Sequence, residues 1–317
     1  MAERPPKLSF EPAVNLSSIH AAFVVATGAH CTDSKTESAM RGPTSEINTR
    51  LVSSMVDVRT FWSALFGTVA EGVSAREACP LALVKAGCSE MSAEQSAAGI
   101  ASLLDQCRLA FQDRFPKLPQ QLELRSSPLK DRWMTYGPGL LIQSAKVIWQ
   151  GQPPKDWWPT AVKCLLLQPI RGGDGGFDSG KRRVWMEAML TDVNPQVSEL
   201  LRLVYWVLRV AVGRHLSQTR ENLSFNPTPV QDATDPEDFG SGTFQQSRLA
   251  WDLGCIPVVL TAAQELDLIP SGPPPVATAV TLWRRAEPAA AQAVENWWAE
   301  NKSTPMPIAL QNLRTSH

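Results

Sequence analysis

The sequence is short of the groups that ordinarily do chemistry. It has four histidines, His20, His30, His215 and His317, and none stands in an H-E-x-x-H, H-x-H or Cys-His arrangement at ligand spacing. No metal and no cofactor is therefore expected. G-x-S-x-G is missing, which removes a hydrolase nucleophile elbow. The two glycine signatures of phosphate binding, G-x-x-x-x-G-K-[ST] and G-x-G-x-x-G, are missing as well. The six cysteines are scattered with no C-x-x-C pair, a pattern of free buried thiols in a reducing compartment, which points to the cytoplasm. Charge is sparse too: 19% of residues, with Lys and Arg at 30 against Asp and Glu at 31. A near-neutral chain has no long-range field to gather phosphate backbones, so nucleic acid is not an expected partner. No apolar run approaches the ~20 residues of a membrane span; the best, Leu200 to Val212, is cut by Arg202 and Arg209. Near the N-terminus, Ile19 to Ala26 is too short an apolar run for an export signal and contains His20.

What is present is core material. Apolar residues make up 44%, and eleven Trp stand against two Tyr; large aromatics bury well where helices pack. Ile47, Leu51, Met55, Val58, Trp62, Leu65 and Val69 step by three and four, predicting one helix face, with Thr44 or Ser45 as cap and Gly72 as stop. A second helix is expected from Ser74 toward Gly87, bent by Pro80. A third should open at Ser92 with Gln95 completing a capping box, carry Ile100, Leu104, Cys107 and Phe111 inward, and stop at Pro116. Leu118 falls in a Pro-flanked loop on this reading. Helical spacing resumes after Pro128 and breaks at Gly137-Pro138-Gly139.

The middle of the chain changes character. Val162 to Gln168 is a compact apolar run, and Val184, Met186, Ala188 and Leu190 alternate with more polar positions, the period-two signal of a strand. The glycine-rich segment between them reads as an irregular tip. This predicts an antiparallel hairpin over 161–191, which must join another strand or pack on a helix; the chain near Phe10, or Phe23 to Val25, is the candidate third strand. Asn194-Pro195 opens a helix running to about Arg214 that is apolar on nearly every side and therefore central. Residues 217–243 carry three prolines and an acidic group without periodicity, and read as a long loop. A last long helix spans about Phe244 to Leu268, interrupted near Pro257. The fold class expected is α+β, predominantly α: a helical N-terminal layer over 1–125, an α+β core over 126–270 with the hairpin backed by a buried helix, and a helical tail over 271–317.

Candidate sites cluster around the glycine-rich tip. Gly172 to Asp178 resembles a calcium-binding nonapeptide repeat, but such sites are built by stacked copies and the chain has one. Arg171, Lys181, Arg182 and Arg183 flank the tip as a basic collar, a candidate anion site or a solvated strand end. Asp174, Asp178, Glu187 and Glu199 could assemble as carboxylates nearby, with Glu187 paired across strands to Lys163. Cys31 with a distant His215 is a possible thiol pair, though a buried inert thiol is the plainer reading. The order helix, strand, strand, buried helix resembles the catalytic core of zinc metallopeptidases, whose buried helix carries two His and a Glu. Here that helix opens Val197-Ser198-Glu199-Leu200-Leu201-Arg202 without either His, so the resemblance implies a degenerate fold without zinc chemistry. No catalytic residue is identifiable. The reading is a non-catalytic interaction or accessory protein, binding another protein or itself through an apolar, Trp-bearing surface. The alternative is an enzyme with its site at 171–183 and Glu187. A pocket where titratable groups converge would favour the enzyme.

Overall fold

The computed structural model describes residues 4–151, 153–223 and 242–313. The chain divides into two compact units: Met1–Glu11, Arg125–Cys164 and Gly173–His317 form one, Pro12–Leu124 and Leu165–Gly172 the other.

The second unit is helical: α1 (Val14–Ala26), α2 (Ser34–Ser53), α3 (Val58–Val69), α4 (Ala75–Lys85) and α5 (Glu90–Arg114). Helix α5 packs against α1, α2 and α4, and Leu51, Phe61, Trp62, Leu65, Ile100, Leu104 and Phe111 are buried among them. The single helix expected from Ile47 to Val69 is two. The backbone turns left-handed at Met55, φ 56°, and Asp57 starts a new helix by accepting a hydrogen bond from the Thr60 N–H at 2.7 Å. The shared apolar period survives the break because both helices face the same core. Helix α2 begins earlier than expected, at Asp33, whose carboxylate accepts from the Lys35 N–H and the Thr36 hydroxyl. Ser74 and Glu77 close a capping box on α4, which runs through Pro80. Helix α5 starts a turn ahead of expectation, with Ser89 as cap in place of Ser92.

Helix α6 (Leu118–Trp149) runs unbroken through Pro128 and Pro138; its first residues belong to the helical unit and the rest to the other. The Gly137-Pro138-Gly139 break does not occur. Gly137 is there for packing, since a Cβ would lie 2.5 Å from the Trp133 indole. Leu118 is the first helical residue and buried, not part of a loop.

The first unit is built on a four-stranded sheet in the order β1-β2-β4-β3, from β1 (Lys7–Pro12), β2 (Ala161–Leu167), β3 (Gly175–Asp178) and β4 (Arg183–Glu187). The Lys7 N–H donates to Thr160 O at 3.1 Å and, six residues on in both strands, the Ala13 N–H donates to Leu166 O at 2.9 Å. Equal spacing in the same direction makes β1 and β2 parallel, without a bulge. Strands β3 and β4 are antiparallel, Gly175 opposite Met186 and Asp178 opposite Arg183. The sheet is thus mixed and not a simple hairpin. The segment at Phe10 supplies the third strand, whereas Phe23 to Val25 lies in α1.

The glycine-rich tip also contains a strand, where an irregular loop was expected. A Cβ on Gly176 would lie 2.5 Å from the Trp185 indole, and one on Gly175 would overlap Trp206. The glycines are there because two indoles cross the strand. Helix α7 (Glu199–Leu223) packs on β3 and β4 and on α8 (Gly242–Glu265). Every residue from Leu200 to Val212 is buried, so the expected buried helix stands behind the sheet. Asn194 caps a short 3-10 turn at Pro195–Val197, and α7 proper starts at Glu199, whose N–H donates to Asp192. Helix α7 continues to Leu223; the remainder of the expected 217–243 loop, up to residue 241, lies outside the described residues. Helices α9 (Val276–Leu282), α10 (Pro288–Asn301) and α11 (Met306–Ala309) complete the unit. No helix among the described residues is long and apolar enough to cross a membrane.

Candidate functional site

Two arrangements have the makings of a site: charged groups gathered around α7, and clefts in the helical unit.

The charged groups begin at the glycine-rich tip. Gly173 and Asp174 donate their backbone N–H groups to Glu187 Oε2 at 2.8 and 3.0 Å. Consecutive N–H groups converging on a carboxylate are what an anion-binding loop offers a phosphate. In this chain β4 supplies the anion, and the nest is filled from within. Gly173 is required because its φ is +124° and a Cβ would meet Leu282 O at 2.6 Å. Glu187 is fully buried and does not pair with Lys163 as expected; the Lys163 ammonium holds Glu11 on β1 at 2.9 Å.

Arg202 ties this loop to α7. Its guanidinium donates to Asp174 O at 2.6 Å, to Glu187 O at 2.7 Å and to the Glu199 carboxylate one turn back. Burial, the largest influence on Glu199, pushes its carboxyl up despite Arg202. Arg202 thus brings three of the four sequence-flagged carboxylate residues together. Asp178 lies at the far end of β3 and pairs with Arg183 at 3.4 Å.

Seven residues on, Arg209 sits beside a second buried acid. Asp252 on α8 lies 3.0 Å from Arg209 Nε, accepts from Arg285 at 2.6 Å and from the Tyr205 hydroxyl at 2.6 Å. Burial works to raise the Asp252 carboxyl, but the two guanidiniums and the phenol outweigh it and hold it at about 2. Aromatic faces close the cluster, Phe177 under Arg209 at 4.8 Å and Trp206 under Arg285 at 4.7 Å. Asp252 and Arg285 carried no sequence signal. Arg202 and Arg209 did: cations spaced by seven on an otherwise apolar helix need buried acceptors.

The basic collar is distributed. Arg183 is buried on β4 beside Asp178; Arg182 is exposed at φ 53°; Lys181 donates its backbone N–H to Asp178. Arg171 belongs to the helical unit. Cys31 and His215 also fall in different units. The Cys31 thiol is buried, donates to Asp33 O and is pushed up by desolvation. His215 lies against the Trp149 and Trp157 rings at 5.3 and 5.7 Å, where burial lowers its affinity for a proton. All six cysteines are free.

The helical unit carries a cleft of about 520 Å³ between the start of α1 (Val14, Asn15, Ser18), the end of α5 (Arg108, Phe111, Phe115) and the start of α6 (Leu118, Pro119). Phe111 and Phe115 face each other at 4.9 Å and form its apolar wall. Arg108 is turned along its own helix toward Asp105 and Gln112, and Ser18 donates back to Asn15 O. A smaller cleft of about 200 Å³ lies between α2, α4 and α5, with Leu51, Leu83 and Ile100 as floor and Cys88 and Arg50 at its side. Exposed apolar side chains adjoin its lining in sequence: Val52 and Met55 on either side of Ser53 and Ser54, Val84 next to Leu83, and Met91 one turn before Gln95. The eleven Trp are all buried or half-buried, so they are core material.

Comparison with known proteins returned no match: no family model, no curated protein and no solved structure corresponds to this chain.

Proposed function

We propose that this is a non-catalytic interaction or accessory protein whose helical unit receives an apolar segment of another protein in the cleft between α1, α5 and the start of α6. The observation that carries this reading is that the titratable groups which converge do not line the open cleft. The titratable groups that converge, Glu187, Glu199, Arg202, Arg209, Asp252 and Arg285, are buried or half-buried and engaged with one another or with backbone N–H and C=O groups. The open cleft offers two phenyl rings tilted against each other and aliphatic side chains, framed by Asn15, Gln112, Arg108 and Asp113. Catalysis requires a group of tuned pKa at a surface the substrate can reach; recognition requires apolar area framed by a few polar groups. The cleft has the second composition.

The test fills the cleft. Asn15→Trp places an indole at its mouth without touching the ion networks. Proteins captured by the parent and lost by N15W are identified, purified and titrated calorimetrically. The expectation is stoichiometric binding to the parent, weakened at least about tenfold in the variant. Equal binding to both would sink the cleft. Time-dependent turnover in a metabolite extract, abolished by Glu187→Gln in protein that still folds, would replace the reading with an enzyme at the glycine-rich tip.

A further inference from the structure

Among the described residues, strand β1 is the sheet's outer strand on one side, with β2 as its one neighbour. Its odd-numbered residues face β2, since the Lys7 N–H donates to Thr160 O in a parallel ladder. The N–H and C=O groups of Leu8 and Phe10 therefore point away from the sheet. Pro6 and Pro12 share that outward phase and have no N–H to give. The open edge is thus a window two residues long, closed at both ends by proline.

Side chains alternate in step. Lys7, Ser9 and Glu11 are exposed, and Leu8 and Phe10 are half-buried. An antiparallel copy of this strand centred on Ser9 pairs Leu8 with Phe10 of the other chain, and Phe10 with its Leu8. That register uses all four outward amide groups of each strand and stops where the prolines begin. Registers centred on Leu8 or on Phe10 would oppose a donor position to proline. The Ser9-centred register also sets Lys7 opposite Glu11 of the other copy, twice by symmetry, at non-hydrogen-bonded positions where side chains approach most closely. A strand whose charges, apolar residues and donors all match its own reverse is self-complementary.

We propose that two copies of this chain join edge to edge through β1, antiparallel about a twofold axis at Ser9, making one eight-stranded sheet. The contact is isologous, the geometry a symmetric dimer requires. It involves none of the residues of the helical cleft, so its failure would leave that reading standing.

Charge exchange tests it on the full chain. Lys7→Glu sets Glu against Glu twice, and Glu11→Lys sets Lys against Lys twice. Both residues are exposed. Glu11 also pairs with Lys163 on β2, so Lys7→Glu, which leaves that pair intact, is the cleaner variant. Thermal melts matching the parent would show the variants folded. In sedimentation equilibrium at low salt the parent should show reversible monomer–dimer exchange. Each single variant should raise the dissociation constant by at least about tenfold. K7E/E11K should recover dimerisation, and an equimolar mixture of K7E with E11K should form heterodimers although neither pairs with itself. A parent that stays monomeric up to about 1 mM, a dimer indifferent to K7E, or a mixture that fails to reconstitute overturns the proposal.

Discussion

Asp252→Asn is the most informative single change in the first unit. The carboxylate answers the buried Arg209 guanidinium, the half-buried Arg285 guanidinium and a phenol. Asparagine keeps an oxygen for the Tyr205 hydroxyl but leaves Arg209 and Arg285 without a counter-charge. Carrying the carboxyl from its ordinary 3.8 down to about 2 corresponds to about 2.5 kcal/mol of stability. Removing one partner of a buried pair typically costs about 3–5 kcal/mol, because the stranded cation is part of the cost. The larger range is the better guide, since two cations are stranded here. At roughly 2–4 °C per kcal/mol, the midpoint should fall by on the order of 6–20 °C in calorimetry at pH 7. The sign in pH follows from the depressed pKa. Asp252 contributes fully above about pH 4 and loses its contribution as pH falls through about 2, so parent and variant should converge on acidification. Glu46→Gln serves as the control, for its ion pair with Arg50 is half-exposed and worth little. A D252N midpoint within about 2 °C of the parent, where at least 6 °C is expected, would refute the network as a structural clamp.

Three further outcomes are expected. Leu203→Ala and Leu118→Ala should each cost about 2–5 kcal/mol in denaturant titrations, both being buried, while Met55→Ala, at a residue 94% exposed, should cost little; equal midpoints for L203A and the parent would misplace the core. Gly175→Ala should destabilise by about 1–3 kcal/mol and change the near-ultraviolet circular dichroism of Trp206, whereas Gly176→Ala should cost less because half-buried Trp185 has room to move. A thiol reagent should label one cysteine of the native protein, half-buried Cys88, and all six in denaturant: Cys79, Cys107, Cys164 and Cys255 are pushed up to about 12 by burial, and rapid labelling of two or more in the native state would contradict that.

Helical periodicity was legible wherever one face met one core. Ile100, Leu104, Cys107 and Phe111 are buried as their spacing required, and α7 is apolar all round because sheet and helices enclose it. Boundaries were less legible. Proline and glycine were weighted as breakers, yet α6 passes through two prolines and α8 through one. A missing N–H removes one rung of a helix, and a 32-residue helix with its apolar face packed retains enough others. The Met55 break went unread for the opposite reason, since a methionine at positive φ has no sequence mark.

The glycine-rich tip shows why the candidate site was only half legible. Glycine in a strand is unfavourable by its own propensity, so four glycines in five residues read locally as a loop. The indole of Trp206, on another element, reverses that preference: any side chain at 175 would displace it, and the strand forms with glycine because nothing larger fits. The polar side follows the same logic. Glu187 stands in a period-two strand where a cross-strand lysine was the natural partner, and Lys163 is indeed on the neighbouring strand β2. Yet Lys163 is half-exposed and satisfied by Glu11, while Glu187 is buried and needs donors that stay in the interior. Backbone N–H groups meet that need without bringing a second cation out of water, and the turn that Gly173 permits delivers two of them, its own and that of Asp174, to one oxygen. The glycines that suggested a ligand-binding loop are therefore explained by a ligand the chain carries itself.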